Sequence, residues 1–189
     1  MAKVVSMSDA RHVSHVFGPL FNESSSVLIL GSFPSVRSRE QAFYYGNPQN
    51  RFWRVVAACL SAPVPVNEGD PLGEAGDIAT RAQSVAQKRR LLLEHGIAVW
   101  DVIESCDISG SSDASIRNVE PVAIETVIAV SPIERILCNG ALAGRLYHRY
   151  LEEHVGMAAE VLPSTSPANA AWSLARLVER WRPALGSSS

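Results

Sequence analysis

The 189-residue sequence has three cysteines, Cys59, Cys106 and Cys138, and no CxxC pair. Thiols this widely spaced offer no ready-made zinc or iron–sulfur knuckle, and their apolar surroundings suit small buried hydrophobes. The five histidines form no HExxH pattern, so no metal centre and no cofactor are expected. No apolar run approaches the roughly 20 residues needed to cross a bilayer. The opening MAKVVSMSDARHVSH lacks the apolar core of a signal peptide. A cytoplasmic protein without membrane contact is the expectation. Lysine is scarce: Lys3 and Lys88 are the two lysines among 17 basic residues. The net charge of −2 argues against bulk nucleic-acid binding but leaves room for a local basic patch. The phosphate loop GxxxxGK[ST], the dinucleotide fingerprint GxGxxG and the nucleophile elbow GxSxG are all absent.

What is present is a recurrent alternation. SSVLILGS is a short continuous apolar run ending near Gly31, and similar runs occur at GIAVWDVI, RILCNG and AEVLPS. Such runs fit strands buried on both faces of a parallel sheet. Helical spacing lies between them: Trp53, Val56, Ala57 and Leu60 after Arg51, then Ala82, Val85, Ala86, Leu92 and Leu93 from Ile78, with Lys88 on the polar face, then Leu142, Leu146 and Tyr150. A last helix is expected with Ser166 as cap, Pro167 in its first turn, and an apolar stripe of Ala171, Trp172, Ala175, Val178 and Trp181. The fold class implied is α/β: one domain over residues 1–189 with a central, mainly parallel, four-stranded sheet and helices on both faces. Residues 62–77 and 107–115 read as surface loops, the His12–His15 segment as peripheral, and the GSSS tail as frayed.

In open parallel sheets, ligands bind at the carboxyl ends of the strands. There this chain places GSFPS, DVIESC, NGALAG and PSTSPANA, with YYGNPQNRFW close behind the first. A crevice of rings, amides and tight turns, without an evident general base, suits a planar heterocycle. Three of these stretches, VLILGSFPS, YYGNPQNRFW and LPSTSPANA, resemble in order the motifs of the uracil-DNA glycosylase superfamily, most closely its hypoxanthine-DNA (deoxyinosine) glycosylase branch. The chain departs from other branches at two points. Phe33 stands where GINPG relatives carry the asparagine that positions water, and Leu162 stands where some relatives begin the HPS motif with histidine.

The resemblance implies hydrolysis of the N-glycosidic bond of a deaminated base flipped from double-stranded DNA. It assigns the catalytic role to Asn50, which local sequence equally suits to capping the following helix. Phe33 and Tyr45 would wall the base, with Asn139 a turn residue or a base contact; Asp101 would orient a pocket group or make a structural hydrogen bond. Ser164, Thr165, Ser166, Pro167 and Asn169 form the segment that would enter the duplex. Arg37, Arg39, Arg51 and Arg54 would supply a basic patch. Neither lysine is placed for a Schiff base, so a monofunctional, monomeric enzyme is expected. Uracil or xanthine specificity, lesion binding without turnover, and nucleoside processing are the alternatives.

Overall fold

Complete burial of two apolar runs sets the centre of the molecule. In the computed structural model, which describes residues 11–73, 76–109 and 115–186, the chain order begins β1 (Arg11–Ser14), β2 (Val27–Gly31), α1 (Val36–Gln41), α2 (Phe52–Cys59), β3 (Pro71–Leu72), β4 (Asp77–Ile78) and α3 (Arg81–Leu93). It continues β5 (Ile97–Asp101), β6 (Ile103–Ile108), β7 (Arg117–Pro121), α4 (Glu125–Ile128), β8 (Arg135–Asn139), α5 (Ala141–Tyr150), α6 (Glu152–Val155), β9 (Ala159–Leu162) and α7 (Leu174–Leu185). Lys3 in the N-terminal segment, the tail from 187 and loop residues 110–114 lie outside the described residues.

The four expected strands form one parallel sheet in the order β5-β2-β8-β9. Every residue of β2 and β5 is buried, which is why both read as continuous apolar runs rather than alternating ones. β9 is an edge strand and leaves Val161 exposed. From β2 the chain crosses to β5 on one side, then returns past β2 to β8. Right-handed crossovers in opposite directions put the helices on opposite faces: α5 packs on β8 and β9, α3 on β5, and α2 against α7. Register sets the strand ends side by side, Gly31 opposite Asp101 and Asn139 opposite Leu162.

The structure adds an antiparallel sheet, β1-β6-β7, that periodicity does not predict. Its outer strands β1 and β7 are short, polar and largely exposed, while β6 between them has a single exposed residue, Glu104. The His12–His15 segment is the exposed edge strand of this sheet, apart from one buried residue, His15. β1 pairs with β6, and the His15 N–H continues the pairing onto the Glu104 carbonyl at 2.7 Å, which carries the His15 ring into the interior.

Other expectations change for local reasons. α3 starts at Arg81 rather than near Ile78, because Thr80 closes a capping box with Gln83; Ile78 sits exposed at the end of a β3–β4 hairpin that begins at Pro71, within the span expected to be loop. Lys88 is 4% exposed, not on a solvated face. Its ammonium donates to Asn67 Oδ1 at 3.1 Å and lies 5.5 Å from the Trp53 ring centroid, and burial lowers its pKa. α7 begins at Leu174 with Ser173 as its cap, accepting from Arg176 N–H, so Ser166 and Pro167 do not start a helix. The carbonyls of Ser166, Asn169 and Trp172 turn instead to the Arg51 guanidinium. The buried stripe of α7 accordingly shifts to Leu177, Trp181, Ala184 and Leu185.

Candidate active site

A crevice of about 720 Å³ opens at the carboxyl ends of β2, β5 and β8, within the range of small-molecule sites. It brings together Phe33, Tyr45, Asn50, Asn139, Ser164, Ser166, Pro167 and Asn169, together with Asp101 and Arg39. Of the expected site residues, Thr165 alone does not line it. Thr165 is fully buried, and its hydroxyl is occupied inside the protein rather than free for a phosphate.

That hydroxyl links the two amides. Thr165 Oγ1 donates to Asn50 Oδ1 at 2.8 Å and accepts from Asn139 Nδ2 at 3.0 Å. The Thr165 N–H donates to Asn139 Oδ1 at 3.0 Å. Asn50 Oδ1 also accepts from the Phe52 N–H at 3.0 Å, satisfying the first amide of α2, although the N-cap position itself is Arg51 and Asn50 stands one residue before it. Both ends of the Asn139 amide are thereby committed to Thr165. On Asn50 the Nδ2 group donates to no described residue and remains available at the crevice wall. Asn47 behaves as a turn residue, accepting from Gln49 N–H at 3.0 Å.

Thr165→Val keeps the shape and removes the link, leaving the half-buried Asn139 Nδ2 without its acceptor, a loss of about 0.5–1.5 kcal/mol. Melting temperature is expected to fall by roughly 1–6 °C, with Asn50 Oδ1 then held by the Phe52 N–H alone. An unchanged melting temperature would mean that the amide pair needs no support from Thr165.

The rings are fixed by stacking. Tyr45 lies against Phe52 with centroids 3.7 Å apart and planes 16° from parallel. It holds a left-handed backbone, φ 49°, a conformation that costs a bulky residue roughly 1–3 kcal/mol. Its ring is partly exposed while its hydroxyl is buried and hydrogen-bonds to no described residue. Burial chiefly, then the Asp101 charge, push the Tyr45 phenol far above its ordinary range. The Asn139 amide is close enough to oppose the shift by hydrogen bonding, although no bond to the Tyr45 hydroxyl meets full hydrogen-bond geometry. Tyr44 sits deeper, donating to the Gly18 carbonyl at 3.0 Å. The Arg39 guanidinium donates to the Pro34 carbonyl at 2.7 Å and lies 5.5 Å from the Phe33 ring centroid, which steadies that ring.

Arg51 has a role that sequence reading missed. Its backbone N–H and Nε both donate to the Thr165 carbonyl, at 3.1 and 3.3 Å. Nη2 donates to Ser166 O at 2.6 Å and Asn169 O at 3.0 Å, and Nη1 donates to Trp172 O. This guanidinium organises the loop from 165 to 172 and is not free for DNA phosphates. Arg37 and Arg54 stay exposed. Gly140 allows the same loop to approach: its φ is 103°, and a Cβ there would meet Ser164 Cβ at 2.9 Å.

His15 and Asp101 form a second pair that sequence did not reveal. His15 Nε2 donates to Asp101 Oδ2 at 2.9 Å, with the residues 9% and 5% exposed. A carboxylate has acceptors only, so the proton belongs to Nε2. No cluster of three or more metal-ligating side chains occurs among the described residues, and no helix of the described residues is long and apolar enough to cross a membrane.

Residues 19–184 match the profile of the Uracil DNA glycosylase superfamily. The chain is 34% identical over 160 residues to a Methanosarcina acetivorans protein named hypoxanthine DNA glycosylase, covering 83% of this chain and 89% of that one. It is 31% identical over 156 residues to a Methanosarcina barkeri protein of the same name, covering 81% and 86%. A solution NMR structure from Methanosarcina acetivorans, described as a candidate uracil DNA glycosylase, superposes with a TM-score of 0.65 at 30% identity, covering 89% of this chain and 94% of that one.

Proposed function

The chain belongs to the uracil DNA glycosylase superfamily, and from that membership we propose that it is a monofunctional DNA glycosylase, one domain throughout, that removes hypoxanthine from duplex DNA. The substrate class is supported by the names of the two Methanosarcina relatives. The observation that carries the chemistry is the crevice, where an unpaired amide donor group, Asn50 Nδ2, stands beside partly exposed rings at the strand ends.

In this reading the flipped base enters between Phe33 and Tyr45. A water oxygen forms its bond to C1′ as the bond from C1′ to N9 breaks, the bonding pair leaves with the base, and the proton lost by the water ends on the departing purine. The products are an abasic site and free hypoxanthine. Asn50 Nδ2–H is the donor that orients the water or supports charge growing on the leaving base. The rim from Ser164 to Asn169, with Pro167 and Ala168 exposed, enters the duplex, and Arg37 and Arg54 face phosphates. Cleavage of the abasic product by an amine is disfavoured. Lys88 lies against Trp53 and Asn67, and no lysine lines the crevice among the described residues.

The test uses end-labelled duplexes carrying deoxyinosine, deoxyuridine or deoxyxanthosine, incubated with protein and then treated with alkali. Strand breaks at deoxyinosine after alkali, and none before it, are expected. Breaks before alkali would refute the monofunctional assignment. Faster breakage at deoxyuridine or deoxyxanthosine would reassign the base. Tight lesion binding with no breaks at all would point to a binding protein, as Phe33 and Leu162 in place of catalytic residues would then suggest.

A further inference from the structure

We propose that Asp101 and Tyr45 together read the lactam edge of the base, the N1–H and C6=O of hypoxanthine, and so separate a deaminated base from its amino parent. The inference rests on the glycosylase reading above and adds the groups that select the base.

The geometry starts from register. Asp101 ends β5 directly opposite Gly31 at the end of β2, and both line the crevice. Gly31 has no side chain, and the Asp101 carboxylate lies across the space one would fill: a Cβ on Gly31 would come within 2.1 Å of Asp101 Oδ1. The Tyr45 hydroxyl lies 3.5 Å from that same point. A carboxylate oxygen and a phenol oxygen are therefore neighbours at the inner end of the crevice, the phenol oxygen just beneath its surface.

Each has one unanswered hydrogen-bonding function. His15 occupies Asp101 Oδ2, while Oδ1 accepts from no described residue. The Tyr45 hydroxyl is buried and has no hydrogen bond of full geometry among the described residues, the nearby Asn139 amide being otherwise committed to Thr165. Buried polar atoms are ordinarily paired, so an orphaned hydroxyl beside an open carboxylate oxygen calls for a ligand that completes both. Oδ1 can only accept. The tyrosine hydroxyl can donate, since a phenol keeps its proton at neutral pH. The edge that fits is an N–H next to a carbonyl.

Depth decides which part of the substrate arrives there. Asp101 is nearly inaccessible, whereas Asn50 is half-buried nearer the mouth. A flipped nucleotide leads with the ring edge opposite its glycosidic bond, since the sugar stays tied to the strand. In hypoxanthine that edge is N1–H and C6=O; in uracil it is N3–H and C4=O. Adenine and cytosine present the inverse, a lone pair beside an amino group, which sets acceptor against acceptor at Asp101. Sites built on specific hydrogen bonds reject analogues that leave buried groups unpaired. His15 is the positioning residue: its Nε2–H fixes the carboxylate rotation that leaves Oδ1 open.

The experiment compares binding, by fluorescence anisotropy, of duplexes carrying 2′-fluoro-arabino nucleotides of hypoxanthine or of unsubstituted purine. The fluorine resists excision by destabilising positive charge at C1′, and purine lacks both N1–H and O6. The native chain is expected to prefer hypoxanthine at least about tenfold. Asp101→Asn, whose amide can turn a donor toward the purine N1, is expected to narrow that preference to below about threefold. Tyr45→Phe removes a hydroxyl that makes no hydrogen bond of full geometry among the described residues, so the fold should be kept. It is expected to weaken the hypoxanthine duplex several-fold without affecting the purine duplex. Tyr45→Phe carries the test if Asp101→Asn fails to fold. Parallel losses on both duplexes, or a native chain with no preference, would overturn the proposal. Failure of the glycosylase reading shows separately, as a binding preference without strand breaks at natural deoxyinosine.

Discussion

Alanine at Asn50 is expected to slow single-turnover excision of hypoxanthine roughly ten- to a hundredfold, the value of one hydrogen bond to developing charge, about 1.5–3 kcal/mol. The fold should survive. Asn50 Oδ1 accepts from the Phe52 N–H at the entry to α2 and from the Thr165 hydroxyl, so losing it costs about 1 kcal/mol of stability. That corresponds to a fall of roughly 2–4 °C in melting temperature for a chain of this size. Asn50→Asp separates the two roles. Aspartate keeps an oxygen for both donors but has no N–H, so stability should return while excision stays low. Near-native activity in Asn50→Ala would remove Asn50 from the mechanism, and recovery of activity in Asn50→Asp would mean that the amide donor is not the working group.

The second large effect is expected at Arg51. Truncation to alanine releases the carbonyls of Ser166, Asn169 and Trp172 and one of the two donors to Thr165. The loop is partly solvated and water replaces some of these bonds, so the loss is set at about 2–4 kcal/mol, or roughly 5–15 °C in melting temperature. Binding should suffer more than chemistry. The dissociation constant for a lesion duplex is expected to rise at least about tenfold, because the loop must pay for its ordering when it meets DNA. Arg51→Lys should rescue little, since a point ammonium cannot span carbonyls that a planar fork holds together. Added guanidinium should partly restore binding to Arg51→Ala and not to the native chain. If Arg51 were a phosphate contact instead, Arg51→Lys would retain most of the affinity and the salt slope would drop by about one in the alanine variant.

The two residues share one segment, and the geometry explains why. Asn50 and Arg51 are consecutive at the entry to α2, with Asn50 turned to the crevice amides and Arg51 to the neighbouring loop. A disturbance at either is transmitted through Thr165, which bonds to both. The Thr165 hydroxyl and N–H hold the amides while its carbonyl accepts from Arg51.

Sequence alone determined the features that local pattern encodes. Strands covered on both faces must be apolar throughout, so β2 and β5 were legible as runs, and the Gly, Asn and Ser after each run marked the edge where a crevice forms. The order of the three motifs determined the family, and with it the residues that converge at the site. Tertiary structure alone decided the groups whose partners are remote. His15 meets Asp101 across 86 positions, and Arg51 meets Trp172 across 121. Periodicity reports which side of an element is buried, not what lies opposite it, so a buried imidazole in a polar segment and an arginine turned inward look like ordinary surface residues. The same reason hid the start of α7. Its expected cap and first turn at Ser166 and Pro167 were sound local chemistry, overruled by a guanidinium more than a hundred residues away that claims the carbonyls a helix would have used.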